Sequence, residues 1–285
     1  MKSLIIGARG LVGSALKRQI KDAYEGIPVE PQQDRQFYVD VTKYETLFKV
    51  FSTIRPDIVY LPAAIAHVDK CEESQGPNVV NVRGATTVLR LCESFNVKLV
   101  YFSSSYIFDG TKPTPYSEDD IPNPINVYGQ QKQRVESLIL GSQTKSLIIR
   151  TVGVFGTERL KKNFAKQVIS AVFEGRKVFA PHDQYMNPIL SDDLARITVQ
   201  LSHKHGGIWN VAGDKVVSKY EFARDIAAYF GVEQLVVPVS SEDMKQVAKR
   251  PTNASLDCSS IKNLGIEIPS YIGGLTRFLS QEFNG

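Results

Sequence analysis

The chain has 285 residues, 42% hydrophobic and 22% charged, with a formal net charge of +4. That is the composition of an ordinary globular protein, long enough for one large domain or two smaller ones. No apolar run approaches the roughly 20 residues that span a bilayer. MKSLIIGARG reads as a first strand, not a secretion signal. Basic residues are scattered in short pairs such as Lys17/Arg18 and Lys249/Arg250, without interleaved aromatics, which argues against a nucleic-acid partner. Cys71, Cys92 and Cys258 form no C-x-x-C pair and no His/Cys cluster. Neither a metal site nor a disulfide framework is expected, and the cytoplasm is the expected compartment.

The first half alternates continuously apolar runs with helical patterns. Strands are predicted over residues 3–7, 27–29, 57–61, 98–103 and 146–152, and helices over 11–23, 44–54, 79–95 and 127–140. Strands without a polar face suit a parallel sheet covered by helices on both sides, so the fold class is α/β with a doubly wound sheet. After Thr151 the alternation loosens. Helices are predicted over 163–174, 191–201 (N-capped by Ser191 or Asp192) and 218–230, with a strand over 207–212. Ser218 and Glu221 have the spacing of a capping box. The segment is expected to form a smaller α+β lobe.

Gly7-Ala8-Arg9-Gly10-Leu11-Val12-Gly13 is a G-x-x-G-x-x-G turn between the first strand and the first helix. In that context the pattern is a dinucleotide site. Gly7 permits the turn, Gly10 lets backbone N–H groups approach a pyrophosphate, and Gly13 lets helix and strand pack closely. Arg9, Leu11 and Val12 lie in the same turn. The choice between NAD and NADP stays open, with NADP slightly preferred. Glu30 is a candidate for the ribose hydroxyl, Arg9 and Arg35 for a 2′-phosphate, and Asp40 with Val41 for the surroundings of the adenine.

Tyr128 and Lys132 stand four apart on a predicted helix and so share a face. An ammonium beside a phenol lowers the phenol's pKa from its usual value near 10 and suits it to pass a proton to a carbonyl oxygen. Upstream, the strand Val100-Tyr101-Phe102 runs into Ser103-Ser104-Ser105, which puts hydroxyls at a strand's carboxyl end, where such sheets bind ligands.

With these motifs the chain resembles the extended short-chain dehydrogenases/reductases, and more narrowly the dTDP-4-dehydrorhamnose reductase branch. The resemblance rests on Ala63-Ala64 through Val68-Asp69-Lys70-Cys71-Glu72, on Ser103 to Gly110, on Arg150-Thr151 through Gly156, on Asn187-Pro188-Ile189 with Asp192-Asp193-Leu194-Ala195, and on Arg250-Pro251-Thr252-Asn253. It implies an NAD(P)-binding Rossmann domain over 1–155 and a sugar-nucleotide lobe mainly over 156–285, with some segments returning to the sheet. It further implies Ser104, Tyr128 and Lys132 as catalytic residues, with Ala63 and Ala64 added to the cofactor set, to which Tyr128 and Lys132 also belong. The implied substrate set is Ser104, Ser105, His67, Gly153, Asn187 and Arg250. The expected reaction is NAD(P)H-dependent reduction of a nucleotide-linked 4-keto-6-deoxysugar, as in dTDP-rhamnose biosynthesis. An epimerase is the alternative within that chemistry. The expected partner is a nucleotide sugar, with a homodimer compatible and neither nucleic acid nor membrane. Two departures stand out: Ser105 replaces the branch's Asp, and Gly153 replaces its Trp. The branch also holds the non-catalytic regulatory β subunit of methionine adenosyltransferase, so a cofactor-binding regulatory role is a second reading.

Overall fold

The computed structural model describes residues 1–157 and 163–283. The chain opens with β1 (Ser3–Ile6), buried throughout, and turns into α1 (Leu11–Gln19). This helix stops short of the expected Ala23. Ile20 leaves helical geometry at φ −116° while its N–H closes on the Leu16 carbonyl. The second strand, β2 (Tyr24–Ile27), lies earlier than the expected 27–29. Pro28 cannot donate to a ladder, so it ends the strand and does not sit inside it. An unexpected edge strand, β3 (Gln36–Tyr38), follows; three residues are too few to carry a period-2 signal.

Next come α2 (Tyr44–Ile54), which buries Leu47, Val50, Phe51 and Ile54 on one stripe, and β4 (Ile58–Leu61). The expected helix over 79–95 is present as one continuous helical stretch that changes pitch along its length. After α3 (Val68–Glu73) and α4 (Gly76–Asn78), residues 79–84 form a π-helical turn before α5 (Ala85–Ser94). At the end of that turn Gly84 lies against Val41. A Cβ there would come within 2.9 Å of the valine Cγ2. β5 (Lys98–Phe102), α6 (Val127–Leu140) and β6 (Ser146–Arg150) complete the regular part.

Beyond it lie β7 (Val154–Phe155), α7 (Phe164–Phe173), β8 (Val178–Pro181), β9 (Tyr185–Met186), β10 (Ile189–Leu190), α8 (Ser191–Lys204) and β11 (Gly207–Asn210). Then follow β12 (Val217–Ser218), α9 (Lys219–Ala228), β13 (Val236–Val239), α10 (Ser259–Asn263) and α11 (Tyr271–Phe283). The N-cap of α8 is Leu190, with no side-chain bond, so neither Ser191 nor Asp192 caps it. The capping box on α9 is formed: Glu221 N–H donates to Ser218 Oγ at 3.1 Å and Ser218 N–H to Glu221 Oε2 at 2.7 Å.

The large sheet runs β3-β2-β1-β4-β5-β6-β11, parallel at every pairing. Chain order reverses between β1 and β4, the crevice where doubly wound sheets bind ligands. One face is packed by an apolar cluster with Val50, Phe51, Val88 and Ile139. The other face carries Ile5, Tyr60 and Val100 in a cluster continuous with Phe155, Phe222 and Phe278 of the C-terminal part. The late elements α8, against α1, and β11, beside β6, rejoin the sheet, while β8 with β13 and β9 with β12 form small separate ladders.

Candidate active site

The glycine turn sits at the switch point. Gly7 adopts φ +97°, and a Cβ on it would press within 2.8 Å of the Ala63 backbone nitrogen, so the turn and the loop after β4 touch through bare backbone. A Cβ on Gly13 would fall on the Gly7 carbonyl oxygen. Gly10 is the N-cap of α1, with no side-chain bond and no acidic residue in the first turn. The leading N–H groups and the positive end of the helix dipole are therefore presented to an anion. These residues fit a pyrophosphate.

Beside the turn lies a cavity of about 320 Å³ lined by Arg9, Arg18, Glu25, Gln32, Gln33 and Gln36, among others. Glu25 is paired with Lys17, and Arg18 with Asp192. Arg35 leaves the candidate phosphate ligands. Its Nη1 donates to the Asp22 carbonyl at 2.6 Å and its guanidinium lies over Tyr24, at the start of β2 and not at the binding edge. Glu30 is exposed, three residues beyond the end of β2. Asp40 closes a turn by accepting from Thr42 N–H at 2.9 Å and Thr42 Oγ at 2.7 Å, bonds that hold its pKa below the usual value.

Asn126 starts the helix that carries Tyr128 and Lys132, accepting from Gly129 N–H at 2.8 Å. Glycine is required after Tyr128, because a Cβ there would fall on the Tyr106 carbonyl. Tyr128 and Lys132 are both buried beside the end of β5. Lys132 Nζ donates to the Phe102 carbonyl at 2.8 Å and stands 4.8 Å from the Tyr101 ring centroid and 5.8 Å from that of Tyr128. Burial pulls its pKa down to about 8, opposed by Glu136 and Cys71. Burial also pushes the Tyr128 phenol well above its ordinary value, with the Ser104 side chain as hydrogen-bond partner pulling the other way. The expected lowering by Lys132 is not what governs: the ammonium is turned onto a carbonyl, and desolvation wins.

Ser104 caps the short 3₁₀ turn Ser105–Ile107 by accepting from Tyr106 N–H at 3.2 Å. Tyr106 packs edge-on to Tyr128. So Ser104, Tyr128 and Lys132 come together. The substrate candidates divide. Ser105 is fully buried and its hydroxyl has no partner. Gly153 holds φ +57°, a conformation that side chains rarely adopt, and a Cβ there would come within 2.8 Å of Met186 Sδ. Asn187 directs its amide into protein, donating to the Gly213 and Leu256 carbonyls and accepting from Leu256 N–H. His67 is exposed and caps α3 through Nδ1. Arg250 forms a two-pronged ion pair with Asp69.

Sequence reasoning missed Cys71 and Asn81. Cys71 is buried on α3, which packs against α6, and burial pushes its thiol pKa up. Asn81, in the π-helical turn, donates to Gln131 Oε1 at 2.7 Å and to the Ile65 carbonyl at 3.0 Å, and accepts from Ile65 N–H at 2.8 Å. It thereby ties the loop after β4 to α6. An asparagine inside a helical pattern gives no signal of such a role. Among the described residues no group of three or more His, Cys, Asp or Glu side chains is placed to hold a metal, and no helix is long and apolar enough to cross a membrane.

Comparison with known proteins agrees with this architecture. A dTDP-4-dehydrorhamnose reductase from Aggregatibacter actinomycetemcomitans is 30% identical over 275 residues, covering 91% of each chain. The methionine adenosyltransferase 2 subunit beta of Rattus norvegicus is 28% identical over 92% of this chain and 82% of its own. The crystal structure of dTDP-4-dehydrorhamnose reductase from Bacillus anthracis in complex with NADP superposes with a TM-score of 0.88 at 30% identity, covering 99% of this chain and 100% of that one. The model of the RmlD substrate binding domain matches residues 1–283, and the chain belongs to that family.

Proposed function

We propose that the protein is an NADPH-dependent reductase of a nucleotide-linked 4-keto-6-deoxysugar. The observation that carries this reading is the buried meeting of Ser104, Tyr128 and Lys132 at the edge that also holds the glycine turn. Gly7 to Gly13 with the start of α1 would hold the pyrophosphate, and Arg9 lines the cavity beside it. A bound dinucleotide supplies the hydride. The Tyr128 hydroxyl gives its proton to the keto oxygen, which Ser104 orients by hydrogen bond. Lys132, protonated, offsets the negative charge left on the phenol. Burial keeps the phenol protonated until substrate arrives, as a general acid needs.

A second cavity, of about 380 Å³, supports a nucleotide substrate. Phe164 and Phe179 line it together with Arg176, Lys177 and Lys219, an apolar wall with cations suited to a nucleoside diphosphate. The test is NADPH and NADH oxidation over a panel of dTDP-linked 4-keto-sugars. Turnover of a panel member with NADPH preferred is the expected outcome.

The second reading, a cofactor-binding regulatory subunit, draws on the likeness to methionine adenosyltransferase 2 subunit beta and on the fully buried Ser105. No oxidation with any panel member, together with a stoichiometric protein partner in pull-downs, would replace the first reading by this one.

A further inference from the structure

Residues 240–250 run from the second cavity to the catalytic helix. At the near end, Ser241 N–H and Oγ donate to Asp183, and Gln184 Nε2 donates to Ser241 Oγ at 2.9 Å and to Gln246 Oε1 at 3.0 Å. In the middle, Met244 and Gln246 form part of the cavity wall, and Val247 is exposed. At the far end the segment is gripped twice. Asp69 accepts from Arg250 Nη1 at 2.5 Å, Arg250 Nη2 at 2.8 Å and Ala248 N–H at 3.0 Å. Asn126 Nδ2 donates to the Lys249 carbonyl at 2.9 Å while its Oδ1 caps the helix bearing Tyr128.

The element that carries Asp69 also packs against the helix that carries the catalytic residues. From α3, Glu72 accepts from Val127 N–H at 3.3 Å. The Asp69–Arg250 pair spans 181 positions of sequence and is largely shielded from solvent, with 8% of the arginine side chain exposed. It is two-pronged, the geometry in which an arginine fixes orientation as well as distance. One short helix therefore holds both the end of the cavity wall and the start of the catalytic helix.

We infer that Asp69 is a positioning residue: through Arg250 and Ala248 it fixes the strap 240–250 as the wall of the substrate cavity, in register with the helix that carries Tyr128. This deepens the reductase reading and rests on it for the identity of the substrate. It assigns Arg250 to the strap and not to direct contact with the sugar nucleotide. An open strap leaves the Rossmann turn untouched, so cofactor affinity is independent of it.

The test compares the full chain with Asp69→Asn, Arg250→Lys and Asp69→Glu, each saturated with NADPH. Amide hydrogen exchange over 242–251 is expected to rise in Asp69→Asn and Arg250→Lys. Asp69→Glu, which keeps the carboxylate, is expected to recover part of the protection. Binding of dTDP, used as the probe, and KM for a dTDP-4-keto-sugar are expected to worsen about tenfold in Asp69→Asn, kcat falling less, because a misplaced wall costs binding before chemistry. NADPH affinity is expected to be unchanged, which also confirms folding. Exchange over 242–251 equal to that of the parent chain in Asp69→Asn would overturn the inference, as would equal loss in Asp69→Glu. If the parent turns over no keto-sugar, the reductase reading falls while the exchange comparison still decides the strap.

Discussion

Arg150 on β6 and Glu136 on α6 form an ion pair with 3% of each side chain exposed, Nη2 to Oε2 at 2.8 Å and Nε to Oε1 at 3.2 Å. The guanidinium also donates to the Glu118 carbonyl at 3.0 Å and stacks near Phe108. Glu136→Gln removes one charge and leaves the other buried. The expected loss of unfolding free energy is about 3–5 kcal/mol, read from denaturant titration. Replacing both residues by apolar ones of similar volume is expected to cost less than the single change.

Gly13→Ala tests the close packing of the turn. A methyl group there meets the Gly7 carbonyl, so either α1 or the loop must shift. The expected cost is about 1–3 kcal/mol of stability. Thermal shift by NADPH should also shrink, because the helix N-terminus moves off the pyrophosphate. A variant that keeps the full shift would show that the turn does not hold the cofactor.

Tyr128→Phe removes the proton and keeps the ring. The expected result is a fall in kcat of about 10²- to 10⁴-fold with NADPH affinity intact. Stopped-flow oxidation of bound NADPH by keto-sugar separates the two. Unchanged turnover would exclude Tyr128 from the chemistry.

Lys132 predicts how stability follows pH. Its folded pKa, about 8, lies below the ordinary lysine value of 10.5, with burial as the main cause. Below pH 8 both folded and unfolded chains carry the proton, and the cost of the buried ammonium is complete. Between about 8 and 10.5 the unfolded chain holds the proton and the folded chain does not, so this group raises stability with pH across that window. Lys132→Met should therefore compare best with the parent at pH 7 and lose ground towards pH 10. Parallel urea titrations at the two pH values check the sign. Turnover is expected to fall across the same rise in pH, as the ammonium that supports the phenolate disappears.

Much of this arrangement could be read from residue order. The bare alternation of apolar runs announced the parallel sheet, and the i, i+4 spacing announced Tyr128 and Lys132 because helix geometry alone puts them on one face. What escaped depends on partners distant in sequence. Asn187 looked available for a ligand, but its amide is bound to Gly213 and Leu256, the latter 69 positions away. Arg250, among the expected substrate residues, grips a partner that lies 181 positions upstream, which no local pattern signals. The phenol's pKa was argued from a neighbouring charge, whereas enclosure decides it, and enclosure is a property of the assembled fold. β3 was missed because three residues hold too little pattern.

The wide turn at 79–84 has a consequence of its own. A π-turn is an α-helix carrying one surplus residue, and such surplus residues gather at functional sites. Removing a single residue from this stretch would restore ordinary winding, because the wide turn takes up the surplus residue while the flanking turns keep their register. Asn81, inside the wide turn, would then lose the position from which it bonds Ile65 and Gln131, while Val88 and Leu89 kept their seats in the core. The length of this helix is thus part of the site: a one-residue deletion that spares every buried apolar group would still untie the loop that carries Ala63 and Ala64.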